Sequence, residues 1–168
     1  MIDVDGRVVV GSVYAGVDSR ASELVDRAHR LPGILQYPYA AVRSLLEAHP
    51  STYTVTVDGE SHAFHAFTVV VANSGYYGSG MHIAPDASLD DGLLDVVVIA
   101  VASRARLIRA MPTLYDGTHV GRDEVTVLRG RDVFVRASDP VPAYGDGEPL
   151  GSLPVTAAVR PGALHVLT

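Results

Sequence analysis

The chain has 168 residues, 48% of them hydrophobic, a formal net charge of -6 and no cysteine. Disulfides and thiolate metal sites are therefore excluded, and the acidic balance argues against nucleic acid as the main partner. All 13 basic residues are arginine, so no lysine is present to form a Schiff base or to hold a phosphate.

The length predicts one domain, residues 1–168. No apolar run approaches the roughly 18–20 residues of a membrane span. The N-terminus, MIDVDGRVVV, lacks the basic start and long apolar core of a signal peptide. The expectation is a soluble, cytoplasmic domain.

In chain order, Arg7–Val13 is short and β-branched and predicts a strand bounded by Asp5-Gly6. Asp18 or Ser19 then caps a helix with Leu24, Val25 and Ala28 on its buried side, ending at Leu31-Pro32-Gly33. A second helix is expected over Tyr39–His49, with Ala41, Val42, Leu45 and Leu46 at helical spacing, stopped by Pro50. From Ser51 the period becomes two: Tyr53, Val55 and Val57 face one side and Thr52, Thr54 and Thr56 the other. Asp58-Gly59 is a hairpin signal leading into a strand from about His62 to Ala72. His62 and His65 are three apart on that strand, so they face opposite sides and do not form a joint metal site.

After Ala72 comes the stretch Asn73–Asp95, rich in glycine and acid, which is longer than a connection needs. A strand then runs from Leu94 to Ala102. Ser103 caps a helix over Arg104–Tyr115 whose apolar face is Leu107, Ile108, Met111 and Leu114. Arg104, Arg106 and Arg109 form either a solvated face or a contact for acidic lipid or phosphate. Asp116-Gly117 turns the chain. Thr126–Leu128 and Val133–Ala137 are expected to form a hairpin through Arg129-Gly130-Arg131, and Pro140–Ala143 leads to the turn Gly145-Asp146-Gly147-Glu148. Strands Val155–Val159 and Ala163–Leu167 close the domain. The sum is mainly β with helices (α+β): an antiparallel β-sandwich or strongly bent sheet with helices packed on it.

Two places could carry chemistry. Asp86, Asp90, Asp91 and Asp95 cannot all be buried without cations or strong hydrogen bonds; with hard oxygens alone, the ion would be Mg²⁺ or Ca²⁺. The alternative is a set of Asx turns and caps around Gly92. Asp146 and Glu148 sit in a turn between extended segments, either as an ordinary hairpin turn or as a strand-end carboxylate able to accept a proton. Asp58-Gly59-Glu60 repeats the same tripeptide. There is no Walker A or GxGxxG loop, and no nucleophile triad is readable by spacing.

The ordered set Asn73, Gly80, Met81, Pro85, Ala87 and Asp91-Gly92-Leu93-Leu94-Asp95, followed by Asp146-Gly147-Glu148, resembles the C-terminal domain of diacylglycerol kinase-type lipid kinases. That superfamily includes bacterial diacylglycerol and lipid kinases, sphingosine kinases and ceramide kinases. The resemblance implies a two-layer antiparallel β-sandwich of the lipid-kinase C-terminal type. It implies a structural Mg²⁺ held by the Asp91 side chain and the backbone carbonyls of Ser88 and Leu93. It also implies that Asp146, with Glu148 as competitor, is the base that deprotonates a lipid hydroxyl before attack on ATP.

The substrate would be diacylglycerol or a related lipid alcohol such as a sphingoid base, met by transient contact at the inner membrane face. The family's glycine-rich GGDGT motif is absent here, so ATP is expected to be handled by a separate nucleotide-binding domain, and this chain alone is expected to be inactive. A second expectation is a non-catalytic lipid-binding or regulatory module pairing with a separate nucleotide-binding chain. Exposed strand edges make a homo-oligomer a further expectation.

Overall fold

The computed structural model describes residues 1–17, 42–78 and 80–163. Its strands are β1 (Ile2–Val4), β2 (Arg7–Val9), β3 (Ser12–Gly16), β4 (Ser51–Val57), β5 (Glu60–Ala72), β6 (Leu94–Ala100), β7 (Val125–Gly130), β8 (Asp132–Ala137), β9 (Pro142–Gly145), β10 (Glu148–Ser152) and β11 (Val155–Val159). All pairings are antiparallel, and the main path runs β10-β9-β3-β5-β4-β8-β11-β1-β2, with β6 between β5 and β7. The sandwich expectation therefore holds in its curled-sheet form.

β5 is the strand that folds the sheet onto itself. Its first half pairs with β4 (Val57↔Glu60 to Ser51↔Ala66), and its second half pairs with β3 and β6. The period-two pattern of β4 is realised, with Tyr53, Val55 and Val57 buried and Thr52 exposed. Asp58 and Gly59 turn the hairpin at φ 48 and 89, the double positive φ of a type I′ turn. In its second half β5 is buried throughout, Phe67 to Ala72. The reason is a cover on each face. Val69 and Val71 join Val13, Val55, Val96, Val98 and Val135 in the main core, while Val70 and Ala72 join Tyr14, Val97 and Ile83 beneath the 73–93 loop. A strand buried on both faces reads as a continuous apolar run, as Phe67–Ala72 does.

Several expectations are corrected. The single strand expected over Arg7–Val13 is two, broken at Val10-Gly11, and β1 forms a hairpin with β2. The segments on either side of Gly130 do not pair with each other: β7 pairs with β6, and β8 with β4 and β11. Gly130 is where the chain passes between the two halves of the sheet; a Cβ there would lie 2.3 Å from Val57 Cγ1 and 2.6 Å from Asp58 Oδ2.

The helix begins at Arg104 as expected, with Ser103 Oγ accepting from the Arg106 amide, but it ends at Ala110, and a short turn of helix restarts at Thr113–Asp116. Pro112 has no amide to continue the ladder. Residues 42–47 are helical, with Leu45 buried, but Leu46 is 51% exposed and does not belong to the packed face. Leu45 packs with Ala48, Phe67 and Leu107 instead. The helix expected after Asp18, and the last strand beyond Ala163, lie outside the described residues.

Candidate functional site

The two stretches singled out by sequence meet at one end of the sheet. Register places Gly145 opposite Val13, Ser12 opposite Ala72, Ala72 opposite Asp95, and Asp95 opposite Arg129. At about 4.8 Å per strand, the 145–148 turn, the start of the acidic loop and its last acid fall within roughly 20 Å.

At one side of this end the Val10-Gly11 bend is the joint. Asp146 Oδ2 accepts from the Val10 amide at 2.6 Å, and Oδ1 accepts from Gly11 at 2.9 Å and Ser12 at 3.0 Å. The carbonyls of the same two residues are taken by the loop: Asn73 Nδ2 donates to Val10 O at 2.9 Å, and the Asn73 and Ser74 amides donate to Gly11 O at 2.9 and 3.2 Å. Asn73 is buried. Glycine is required at position 11 because a Cβ there would stand 2.9 Å from Asp146 Oδ1. The signal was a glycine inside a strand pattern, which marks a close approach. Glu148 is exposed at the start of β10. Tyr144 and Tyr77 pack on Tyr14, at ring-centroid distances of 6.0 and 5.9 Å, which ties turn and loop together beneath the surface.

On the other side, the acids meet a cation that sequence reasoning passed over. Arg129 Nε lies 3.2 Å from Asp95 Oδ1, its Nη2 lies 3.4 Å from Asp91 Oδ2, and Nη2 also donates to the Asp86 carbonyl. The Asp95 side chain is only 4% exposed. Burial pushes its carboxyl above the usual carboxylate range, and the Arg129 hydrogen bonds pull against that. Asp91 Oδ1 caps the Leu93 amide at 2.9 Å, and Ser88 Oγ donates to Asp90 Oδ1 at 2.6 Å. Thus Ser88, Asp91 and Leu93 lie in one tight loop, with an Asx turn at Asp91 and the Arg129 guanidinium facing the acids. No group of three or more acid or histidine side chains is arranged as a metal cage among the described residues.

The loop is pinned from behind by His119, also unforeseen. Its ring is buried, with Nε2 3.0 Å from Ile83 O and Nδ1 3.3 Å from Thr113 O. Burial lowers its pKa; the two carbonyls and Asp116 oppose this, while His82 adds to it. A histidine held neutral in the fold gives stability that is complete above its ordinary value near 6.5 and is lost as pH falls through the folded value. We therefore expect thermal melts to show a falling midpoint between roughly pH 7 and pH 5. In His119→Gln that part of the slope should vanish.

The arginines of the 104–110 helix are largely occupied. Arg104 donates to the carbonyls of Leu45 and Ala48, and Arg106 pairs with Glu124 at 2.8 Å. Among the described residues no helix is long and apolar enough to cross a membrane.

The class these features define is an antiparallel β-sandwich domain with an acid-bearing loop and a carboxylate turn gathered at one sheet end. Residues 11–168 match the family described as the YegS C-terminal NAD kinase beta sandwich-like domain, and the chain belongs to that family. It is 33% identical over 159 residues to a diacylglycerol kinase of Mycobacterium tuberculosis, covering 94% of this chain and 51% of the relative. It is also 26% identical over 122 residues to a diacylglycerol kinase of Bacillus subtilis, covering 73% of this chain and 40% of that one. Among solved structures, a Bacillus anthracis protein assigned as a diacylglycerol kinase superposes with a TM-score of 0.72 at 21% identity, over 96% of this chain and 53% of that chain. The chain spans about half the length of the curated relatives it matches.

Proposed function

We propose that this chain is the lipid-accepting, proton-accepting half of an ATP-dependent lipid kinase. Its acceptor is the hydroxyl of diacylglycerol or a related lipid alcohol such as a sphingoid base. ATP is held by a separate nucleotide-binding domain, and the isolated chain does not turn over. The observation that carries the reading is the likeness to the M. tuberculosis diacylglycerol kinase across 94% of the chain. The gathering of loop and turn at one sheet end supports it.

In the reaction, a carboxylate of the 145–148 turn, from Asp146 or Glu148, takes the hydroxyl proton. The alkoxide oxygen forms a bond to the γ-phosphorus, and the bond to the β-phosphate oxygen breaks to release ADP. Positioning supplies most of the catalysis in such transfers, and the Val10-Gly11 joint fixes both motifs on rigid strands. Because the acceptor lies in a bilayer, this end of the sheet meets the membrane surface transiently.

The donor set proposed for Mg²⁺, the Asp91 carboxylate with the Ser88 and Leu93 carbonyls, is all hard oxygen. One carboxylate with carbonyls and waters suits that ion. Asp91 is 28% exposed and its Oδ2 is only loosely held by Arg129 at 3.4 Å, so the residues fit. Bound there, the ion would supply structural charge compensation to the loop. Adding Mg²⁺ should raise the melting temperature of the wild type by a few degrees, and Asp91→Asn should abolish the rise; an equal rise in both would remove Asp91 from the site.

The reading is tested by joining this chain to the nucleotide-binding half of its M. tuberculosis relative. Phosphate transfer from ATP to diacylglycerol in phospholipid vesicles is then measured. Transfer by the joined protein and none by the chain alone is expected. Vesicle binding without transfer would favour the non-catalytic lipid-binding module.

A further inference from the structure

We propose that Arg129 is a built-in attenuator of the acidic loop's divalent-cation site: it presents a fixed positive charge to Asp91 Oδ2, the oxygen that Mg²⁺ needs. This rests on the Mg²⁺ reading above and adds what sets the strength of that site.

The two oxygens of Asp91 are used differently. Oδ1 accepts from the Leu93 amide at 2.9 Å, within the Asx turn. Oδ2 meets Arg129 Nη2 at 3.4 Å. A cation that leaves the turn intact is therefore taken at Oδ2, beside the guanidinium.

Arg129 does not depend on Asp91 for its place. Asp95 and Arg129 are register partners on β6 and β7, and Arg129 Nε lies 3.2 Å from Asp95 Oδ1. Nη2 carries a pair of N–H donors, which go to the Asp86 carbonyl and to Asp95 Oδ2, the latter at 3.2 Å. Asp91 Oδ2 thus feels the positive charge without receiving a hydrogen bond from it. Its lone pairs stay open to an ion, and the guanidinium stays where it is when the ion arrives. The ion binds against that charge.

The duties are thereby divided. Arg129 answers the buried Asp95 whether or not an ion is bound, and the ion compensates the loop alone. The carboxylates of Asp86 and Asp91 both bear on Asp95, so these three acids share one field. One guanidinium among them leaves an excess of negative charge that still attracts a divalent ion, at reduced strength.

The test titrates Mg²⁺ into this chain as wild type, as Arg129→Met and as Arg129→Met with Asp95→Asn, reading calorimetric affinity and melting temperature at neutral pH. Arg129→Met should bind Mg²⁺ about tenfold tighter than wild type or more, the order expected for removing a unit charge a few ångströms from the ion. Because linkage is reciprocal, added Mg²⁺ should also raise its melting temperature further than that of wild type. The double variant leaves no buried charge and keeps the net charge of the wild-type cluster. Tighter binding there belongs to the contact with Asp91 Oδ2 and is expected too; it decides the matter alone if Arg129→Met does not fold. Affinity equal to or below wild type in the double variant would overturn the inference, whatever the single variant does. No Mg²⁺ binding by any of the three proteins, or binding that a further Asp91→Asn leaves intact, would instead overturn the Mg²⁺ reading on which it rests.

Discussion

Arg129→Met should destabilise the domain by about 3 kcal/mol at neutral pH, the cost of leaving a buried charge without its partner. Among the described residues Arg129 alone answers Asp95, whose side chain is 4% exposed, and it also holds Asp91 and the Asp86 carbonyl. Its own 41% exposure keeps the expectation at the low end of the range for buried pairs. Arg129→Lys should recover less than half, because an ammonium cannot span the three oxygen groups that the guanidinium fork reaches.

The pH dependence follows from the sign of the Asp95 shift. A carboxyl whose folded pKa is raised contributes stability that is complete below its unfolded value near 3.9 and is lost as pH rises through the folded value. Without Arg129 the shift grows, so the deficit of Arg129→Met should be widest near pH 7 and shrink in acid. Denaturant melts at both ends of that range check it. Asp95→Asn in the Arg129→Met background should restore most of the loss, because no buried charge then remains. A deficit below about 0.5 kcal/mol would show Arg129 to be an ordinary surface cation.

The second large effect is expected at Gly16, where β3 ends. Its φ is 114, and a Cβ would fall 2.2 Å from the Phe67 carbonyl oxygen, 2.9 Å from Thr68 Cα and 3.0 Å from the Tyr53 hydroxyl. Backbone atoms cannot swing away as a side-chain tip can, so β3 would have to part from β5, where Gly16 pairs with Thr68. Gly16→Ala should therefore cost about 3 kcal/mol or more, from the disfavoured φ and the clash together. Gly59→Ala is the control: its φ is 89, but nothing lies within 4 Å of the added Cβ, so only the backbone preference is lost, about 1 kcal/mol. Similar losses in the two variants would mean that close approach at Gly16 contributes little.

What the sequence showed well was local. The alternation in β4, the Asp58-Gly59 turn, the Ser103 cap and the doubly buried run into Asn73 each depend on neighbouring residues, and each formed. What it concealed was pairing over distance. Gly130 looks like a hairpin turn because strands flank it, yet those strands join different partners, and nothing near Gly130 encodes that. The apolar spacing through Leu114 gives no sign of the break that Pro112 makes in the helix.

At the candidate site, the acids and the 145–148 turn stood out by composition and by resemblance. Their bonds did not. The amides that hold Asp146 are 134 to 136 residues away in the chain, and Arg129 meets Asp95 from 34 residues away.

The acidic loop and the 145–148 turn form one unit through the Val10-Gly11 bend. Amide hydrogen exchange in wild type and Asp146→Gly tests it most directly. In the variant the amides of Val10, Gly11 and Ser12 should lose protection together with those of Asn73 and Ser74, while those of β4 and β8 do not change. Loss confined to residues 10–12, with Asn73 and Ser74 still protected as in the wild type, would contradict it.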